Sequence, residues 1–262
     1  MGYLYTTAKK ISYKILELLT MGRGLPVRFK DFRLKLPVKY FRLFPADYEQ
    51  SSFKFFIRHA KPGDTVLDIG AHIGLYSVFF SKLTKGKVYS FEPTPSTSAV
   101  LRKTIEINHC ESDIIVVQAA VSEKPGLATF YSNDIEVSTS NSLLDLKLSD
   151  SSNRHGAYQV HVVSIDDFRA KNNLTINILK IDAEGVELEV LNGARETFLQ
   201  DRPIAIIGLH PFAYSDRVVM LGKIWDKLIE YKMQIQIEGK DITKDQFCDR
   251  KEPVFDAELV PF

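Results

Sequence analysis

The nine-residue string Val66-Leu67-Asp68-Ile69-Gly70-Ala71-His72-Ile73-Gly74 constrains this chain most: a short apolar strand ends near an acid and turns through two glycines into a helix. Glycine has no Cβ, so backbone at Gly70 and Gly74 can approach a ligand closely, and the helix start offers unpaired N–H groups. Downstream the pattern repeats. The periodicity predicts strands at Val66 to Ile69, Val88 to Phe91, Ile114 to Val117, Leu127 to Tyr131, His161 to Ile165, Ile176 to Ile181 and Ile204 to Leu209. Helices are predicted at Ser51 to His59, Leu75 to Leu83 and Ser96 to Asn108, with a further helical face at Leu188, Leu191, Ala194 and Phe198. Short apolar strands alternating with amphipathic helices imply an α/β fold with a mostly parallel sheet covered on both faces. Right-handed crossovers then bring the strands' C-terminal ends to one edge, where ligands of such sheets bind.

The glycine spacing departs from the Gly-x-Gly-x-x-Gly of dinucleotide sites, and Asp68 would repel a diphosphate while attracting an ammonium. Glu92, in Phe91-Glu92-Pro93 at the end of the next strand, can accept both hydroxyl hydrogens of a ribose. Two acids and two glycines so placed describe a nucleoside carrying a positively charged amino acid portion, the form of S-adenosyl-L-methionine.

With Ala119-Ala120-Val121-Ser122 and Leu179-Lys180-Ile181-Asp182-Ala183-Glu184-Gly185-Val186-Glu187, these strings resemble the FkbM family of class I S-adenosylmethionine-dependent methyltransferases. The likeness covers about residues 47 to 212, and Asp-x-Glu-Gly-x-Glu is its most specific part. It implies a Rossmann-like, seven-stranded, mostly parallel sheet and O-methylation of a sugar or natural-product hydroxyl. By the same resemblance Asp68, Gly70 and Gly74 line the methionine end, Glu92 holds the ribose and Ala120 lies near the adenine. His72, within the glycine turn, reads as a loop residue beside the cofactor rather than a base. The family commonly reads acid-x-His at its fifth strand; this chain has Gly208-Leu209-His210, so the acid is missing and the histidine remains.

Methyl transfer to oxygen is an in-line displacement, so the protein must align the reactants and help remove a hydroxyl proton. Asp182 and Glu184 are expected at the end of the fourth strand as catalytic residues. His210, on the adjacent strand, is the candidate general base, because an unperturbed imidazole titrates near ~6.5. Asp182, Glu184, Glu187 and His210 could also converge on a divalent cation, but without thiolates or paired histidines no metal is expected. Glu187 reads more simply as an acid in a first helical turn.

Charge adds a separate expectation. The whole chain balances at +1, which excludes a basic field for gripping nucleic acid. Residues 1 to 45 carry ten basic and two acidic side chains, or +8, and the remaining 217 carry 24 and 31, or −7. Ile11, Ile15, Leu18 and Leu19 recur at helical spacing among Lys9, Lys10 and Lys14, predicting an amphipathic helix over about Thr7 to Met21 that could lie on an anionic membrane surface. Phe32, Leu34 and Leu36 then alternate with basic residues, suggesting a hairpin with Val38 to Phe44. Residues 1–45 are read as an N-terminal helix and hairpin extension, and 46–262 as the methyltransferase domain. No apolar run reaches a membrane span, the start lacks a signal-peptide core, and Cys110 and Cys248 match no disulfide framework, so a cytoplasmic location, peripheral to the inner membrane face, is expected. Residues 132 to 157 form a polar, serine-rich insertion and, with the hairpin, are candidates for the acceptor pocket.

Three functions follow. The leading one is O-methylation of a sugar in a glycan or glycan precursor, and the second is methylation of a macrolide-like natural product. The third is a non-catalytic binding module retaining the fold. A nicotinamide oxidoreductase lacks its third glycine, and no fourth-strand motif for base methylation is present.

Overall fold

A computed structural model describes residues 12–29, 32–45, 48–132 and 156–262. In chain order the elements begin with a helix over residues 12–19 (α1), β1 (Leu25–Phe29), β2 (Phe32–Leu36), a 3-10 turn (Val38–Tyr40) and α2 (Gln50–His59). The repeating unit follows: β3 (Val66–Ile69), α3 (Leu75–Thr84), β4 (Val88–Phe91), α4 (Pro95–Asn108), β5 (Ile114–Val117), β6 (Ala120–Val121), β7 (Gly126–Ser132) and β8 (Gly156–Val163). Then come α5 (Ile165–Asn172), β9 (Ile178–Asp182), α6 (Glu187–Asn192), a π-helical turn (Thr197–Asp201), β10 (Ile204–Leu209) and a 3-10 turn (Pro211–Ala213). The chain closes with α7 (Arg217–Glu230), β11 (Met233–Ile237), β12 (Lys240–Asp241), α8 (Lys244–Cys248) and β13 (Phe255–Pro261).

Eight strands form the main sheet in the order β12-β11-β13-β10-β9-β3-β4-β5. From β10 through β9, β3 and β4 to β5 every pairing is parallel, while β13 enters antiparallel between β10 and β11. The expected seven-stranded sheet is therefore extended by the two-residue β12, which pairs antiparallel with the end of β11. The parallel strands are short, and the central ones are largely buried, as a sheet covered on both faces requires: Val66, Leu67, Asp68 and Ile69 of β3 are all buried, whereas the edge strand β5 is partly exposed.

Three expectations are corrected. The strands near Leu127 and His161 are real but stand outside the main sheet: β6, β8 and β7 make a separate three-stranded sheet. The second of these ends at Val163, and Ser164 caps α5 by accepting from the Asp167 N–H, so Ile165 begins a helix. The N-terminal hairpin forms with the upstream partner, pairing Leu25 with Leu36 and Phe29 with Phe32, whereas Val38–Tyr40 is helical. The expected helix start at Thr7 and most of the 132 to 157 insertion lie outside the described residues.

The hairpin is fastened to the body. Leu34 and Leu36 are buried with α3 and α4 side chains, and Asn108 caps the connection, its Oδ1 accepting the Lys35 N–H and its amide donating to the Lys35 carbonyl. Phe53, Phe56, Tyr76, Phe79 and Phe80 interlock α2 with α3 at centroid spacings of 4.7–6.2 Å. Each such buried ring contributes roughly 1.5–3 kcal/mol through burial alone. This aromatic layer fixes the start of α3, and with it the glycine turn that feeds the site.

Candidate active site

A cavity of about 360 Å³ opens along the C-terminal edge of the parallel strands. One end is built by the β3–α3 turn, the end of β4 and the segment around β6; the other by the ends of β9 and β10, with Glu49 and Asp256.

The turn is shaped by what has no side chain. Gly70 has φ +74°, and a Cβ there would stand 2.0 Å from the Asp182 carbonyl oxygen, so only glycine lets β3 and β9 close together at this edge. Gly74 has φ +92° and opens α3, where a Cβ would stand 2.6 Å from Leu101 Cδ1. Between them His72 also has positive φ, at 50°. Its backbone N–H donates to Glu92 Oε2 (3.1 Å), and the Thr94 N–H donates to Glu92 Oε1 (2.9 Å). Glu92 thus braces the two loops that wall this end while keeping lone pairs for a ligand. Burial pushes its carboxyl up to about 7, against those backbone hydrogen bonds. Burial also pushes the His72 imidazole down to about 4, so the ring is neutral, and its Nε2 is buried with no hydrogen-bond partner among the described residues. Ala120 lines the same end from β6.

Asp68 is fully buried. Ser77 donates to its Oδ2 (2.6 Å) and Ser90 donates in turn to Ser77, while Oδ1 has no hydrogen-bond partner among the described residues. Lys180 Nζ lies 4.0 Å from Asp68 and 3.0 Å from Asp182, and 5.1 Å from the centre of the Tyr76 ring. Asp182 and Asp68 outweigh the burial of this ammonium and hold its pKa above the usual lysine range. Burial pushes Asp182 up, but Lys180 and His210 together hold it below the ordinary carboxylate range. Asp68 stays raised, because burial exceeds what Lys180 and Ser77 return.

At the other end Asp182, Glu184 and His210 converge, their ligating atoms all within 4.8 Å of one another. His210 Nε2 is 3.4 Å from Asp182 Oδ1 and 3.7 Å from Glu184 Oε2. Glu184 sits at φ 50° and Gly185 at φ 104°, a tight turn that folds the acid back over the end of β9 before α6 begins. Glu187, the first residue of α6, stands behind the cluster and is wholly buried. Its Oε1 bonds His210 Nδ1 at 2.7 Å and accepts the Gly185 N–H at 2.9 Å, while Oε2 accepts the Tyr214 hydroxyl at 2.8 Å. Glu187 therefore acts through His210, setting its orientation and turning Nε2 toward the cavity.

The charge state of His210 differs from the near-neutral imidazole expected of an unperturbed ring. Burial lowers its pKa, but Glu187, Asp182 and Glu184 reverse that and raise it to about 9. Glu184 moves to about 7, pushed up by burial and pulled back by His210.

Of the residues singled out in sequence, Gly70, His72, Glu92, Ala120, Asp182, Glu184 and His210 line one cavity, with Gly70 packed against the Asp182 backbone; Asp68 and Gly74 do not line it, Asp68 being wholly buried behind the turn and Gly74 packing against Leu101 of α4. Lys180, Tyr214, Glu49 and Asp256 escaped that reading. Lys180 lies inside a recognised strand, and a charge buried in mid-strand is itself a signal of a paired site. Asp256 and Glu49 carry no local signal, since β13 reaches the site only by pairing with β10.

These residues fit S-adenosylmethionine. The backbone of Gly70 to Ile73 lines the cavity with Asp68 buried behind it, Glu92 is set to accept ribose hydroxyls, and Ala119, Ala120, Val121 and Phe91 offer an apolar lining for a base.

Among curated proteins the chain is 26% identical over 163 residues to the hexuronic acid methyltransferase AglP of Haloferax volcanii, covering 62% of each. It is 29% identical over 169 residues to the 31-O-demethyl-FK506 methyltransferase FkbM of Streptomyces tacrolimicus, covering 54% of this chain and 64% of that one. The chain spans about three fifths of the length of the curated relatives it matches. A solved methyltransferase FkbM from Methylobacillus flagellatus aligns with 84% of this chain and 54% of that one at 16% identity and a TM-score of 0.48. The family model for the methyltransferase FkbM domain matches residues 68–235, which takes in the glycine turn, Glu92, the Asp182–Glu187 turn and His210. The chain belongs to the methyltransferase FkbM domain family.

Proposed function

We propose that this protein is an S-adenosylmethionine-dependent O-methyltransferase whose acceptor is a hydroxyl of a sugar in a glycan or glycan precursor. The observation that carries the reading is the convergence of Asp182, Glu184 and His210 at the strand edge, in the same cavity as Gly70 to Ile73 of the glycine turn and Glu92. The sugar class draws support from the likeness to a hexuronic acid methyltransferase, and the likeness to the FK506 enzyme supports a natural-product hydroxyl as the second reading.

When bound, the cofactor supplies an electrophilic methyl group on a sulfonium. The backbone of Gly70 to Ile73, with the Asp68 carboxyl buried behind it, would hold its amino acid end, and Glu92 would accept from the ribose. Asp182 and Glu184 accept from the acceptor and fix its approach. His210 Nε2 takes the hydroxyl proton. For that it must first be unprotonated, and Glu187 ensures that the proton gained is held strongly. Substituting His210→Ala leaves cofactor affinity intact and lowers turnover at least a hundredfold; full turnover in that variant removes His210 from the role.

Residues 46–262 form the catalytic domain in this reading and 1–45 an extension. Among the described residues no helix is long and apolar enough to cross a membrane. Leu18 and Leu19 are 79% and 74% exposed on α1, with Ile15 beside them. This exposed apolar strip, with Lys14 in the same helix, supports peripheral contact with an anionic surface, and hence a cytoplasmic enzyme working beside a lipid-linked acceptor.

A further inference from the structure

The part of the cavity that does not serve the cofactor has a distinct chemistry. Gly208 on β10 is in register with Asp182 on one side and Asp256 on the other. A Cβ at Gly208 would stand 3.4 Å from Asp182 Oδ1 and 3.5 Å from Asp256 Oδ1, so the bare backbone leaves an opening with a carboxylate oxygen on each flank, two residues before His210. Asp256 is anchored through Oδ2, which accepts from Ser52 of α2, and this leaves Oδ1 toward the opening. Glu49, fixed by the Tyr76 hydroxyl at 2.6 Å, lines the same end.

Cations here are already committed. Lys180 is the only lysine or arginine among the described lining residues, and it is held between Asp68 and Asp182. The charge of His210 is matched by Glu187 behind it and Asp182 beside it, and His72 is neutral. A second anion entering this end would find carboxylates and no free partner, whereas sugar hydroxyls would find acceptors. Burial and the neighbouring Glu49 charge raise the Asp256 carboxyl, a sign of how crowded with negative charge this end already is.

Building on the proposed methyltransferase reading, we infer that Glu49, Asp182 and Asp256, arranged around the gap at Gly208, form an acceptor subsite for an uncharged, polyhydroxylated ring. The subsite discriminates against a ring bearing a carboxylate, so Asp256 is a specificity-determining residue and the acceptor differs in charge from a hexuronate.

The test uses the full chain with S-adenosylmethionine and matched pairs of methyl glycosides and methyl glycosiduronic acids in gluco, galacto and manno configuration. Methylated product and acceptor affinity are followed by mass spectrometry and calorimetry. The expected result is at least a tenfold preference in kcat/KM for the neutral member of whichever pair reacts. Asp256→Asn is expected to raise the acceptor KM about tenfold, to leave the cofactor Kd unchanged, and to narrow the neutral-over-uronate preference; a purely structural role for Asp256 would leave that preference untouched. Gly208→Ala places its methyl at ordinary contact distances, so it folds, and it is expected to raise the acceptor KM without altering cofactor binding. A uronate used as well as its neutral partner, or an unchanged preference in Asp256→Asn, overturns the inference. So does cofactor binding with no binding or turnover of any pair. Loss of cofactor binding by the unaltered protein would instead refute the methyltransferase reading itself.

Discussion

Replacing Glu187 by glutamine isolates the charge that sets the basicity of His210. The contact to Nδ1 is 2.7 Å, and an amide oxygen can still accept the Nδ1–H, so the ring keeps its orientation while the charge behind it disappears. Charge centres about 4 Å apart interact by about 4 kcal/mol at an effective dielectric constant of about 20. One pKa unit corresponds to about 1.4 kcal/mol, so this bounds the effect at about 3 units, and water at the cavity edge reduces it to roughly 1–3. The assay is proton–carbon NMR of ring-labelled histidine, with the His210 signal assigned by its absence in His210→Asn. In the unaltered protein His210 is expected to titrate at about 9 and His72 at about 4. In Glu187→Gln the His210 midpoint falls by roughly 1–3 units while His72 does not move. A wild-type His210 midpoint near ~6.5, or an unmoved midpoint in the variant, refutes the electrostatic argument. Stability follows with a definite sign. A histidine whose folded pKa lies above its unfolded value stabilises fully below about 6.5 and loses that contribution as pH rises through about 9, on the order of 3 kcal/mol from this group. Urea unfolding of wild type and Glu187→Gln across that interval should show the variant losing less.

Other consequences are quicker to check. Gly70→Ala forces a methyl to 2.0 Å from a carbonyl oxygen at φ +74° and should cost about 3 kcal/mol or more in chemical denaturation, whereas Gly126→Ala, with nothing within 4 Å, should stay within about 0.5 kcal/mol. Asp68→Asn should weaken S-adenosylmethionine binding at least tenfold by calorimetry; unchanged affinity would remove Asp68 from the cofactor site. Leu18→Glu with Leu19→Glu should abolish sedimentation with phosphatidylserine vesicles while leaving the thermal midpoint within ~2 °C, because both side chains are exposed; undiminished sedimentation would refute surface contact through α1.

Much of this architecture is legible in the chain because it is local. The string from Val66 to Gly74 encodes strand, turn and helix within a dozen residues, and its glycines are dictated by positive φ and close approach. The Asp182–Glu187 turn is equally compact. What escapes a reading of periodicity is non-local pairing. Strand β13 places Asp256 beside Gly208 after 47 intervening residues, and nothing in Phe255–Pro261 indicates insertion between β10 and β11. The hairpin partner Leu25–Phe29 contains Pro26, which disfavours a strand interior although Leu25, Val27 and Phe29 alternate with it and Arg28. Leu127 and His161 sit in correctly recognised strands, but one local pattern serves either sheet. The elevated basicity of His210 depends on Glu187, which in sequence reads only as an acid suited to a helix start.

The decisive measurement is to incubate the protein with trideuteromethyl-labelled S-adenosylmethionine and neutral methyl glycosides, then locate the label. Transfer to a sugar oxygen is expected, lost in His210→Ala while the cofactor Kd is unchanged. Failure to bind the cofactor, label appearing on nitrogen or carbon, or undiminished transfer by His210→Ala would contradict this mechanism.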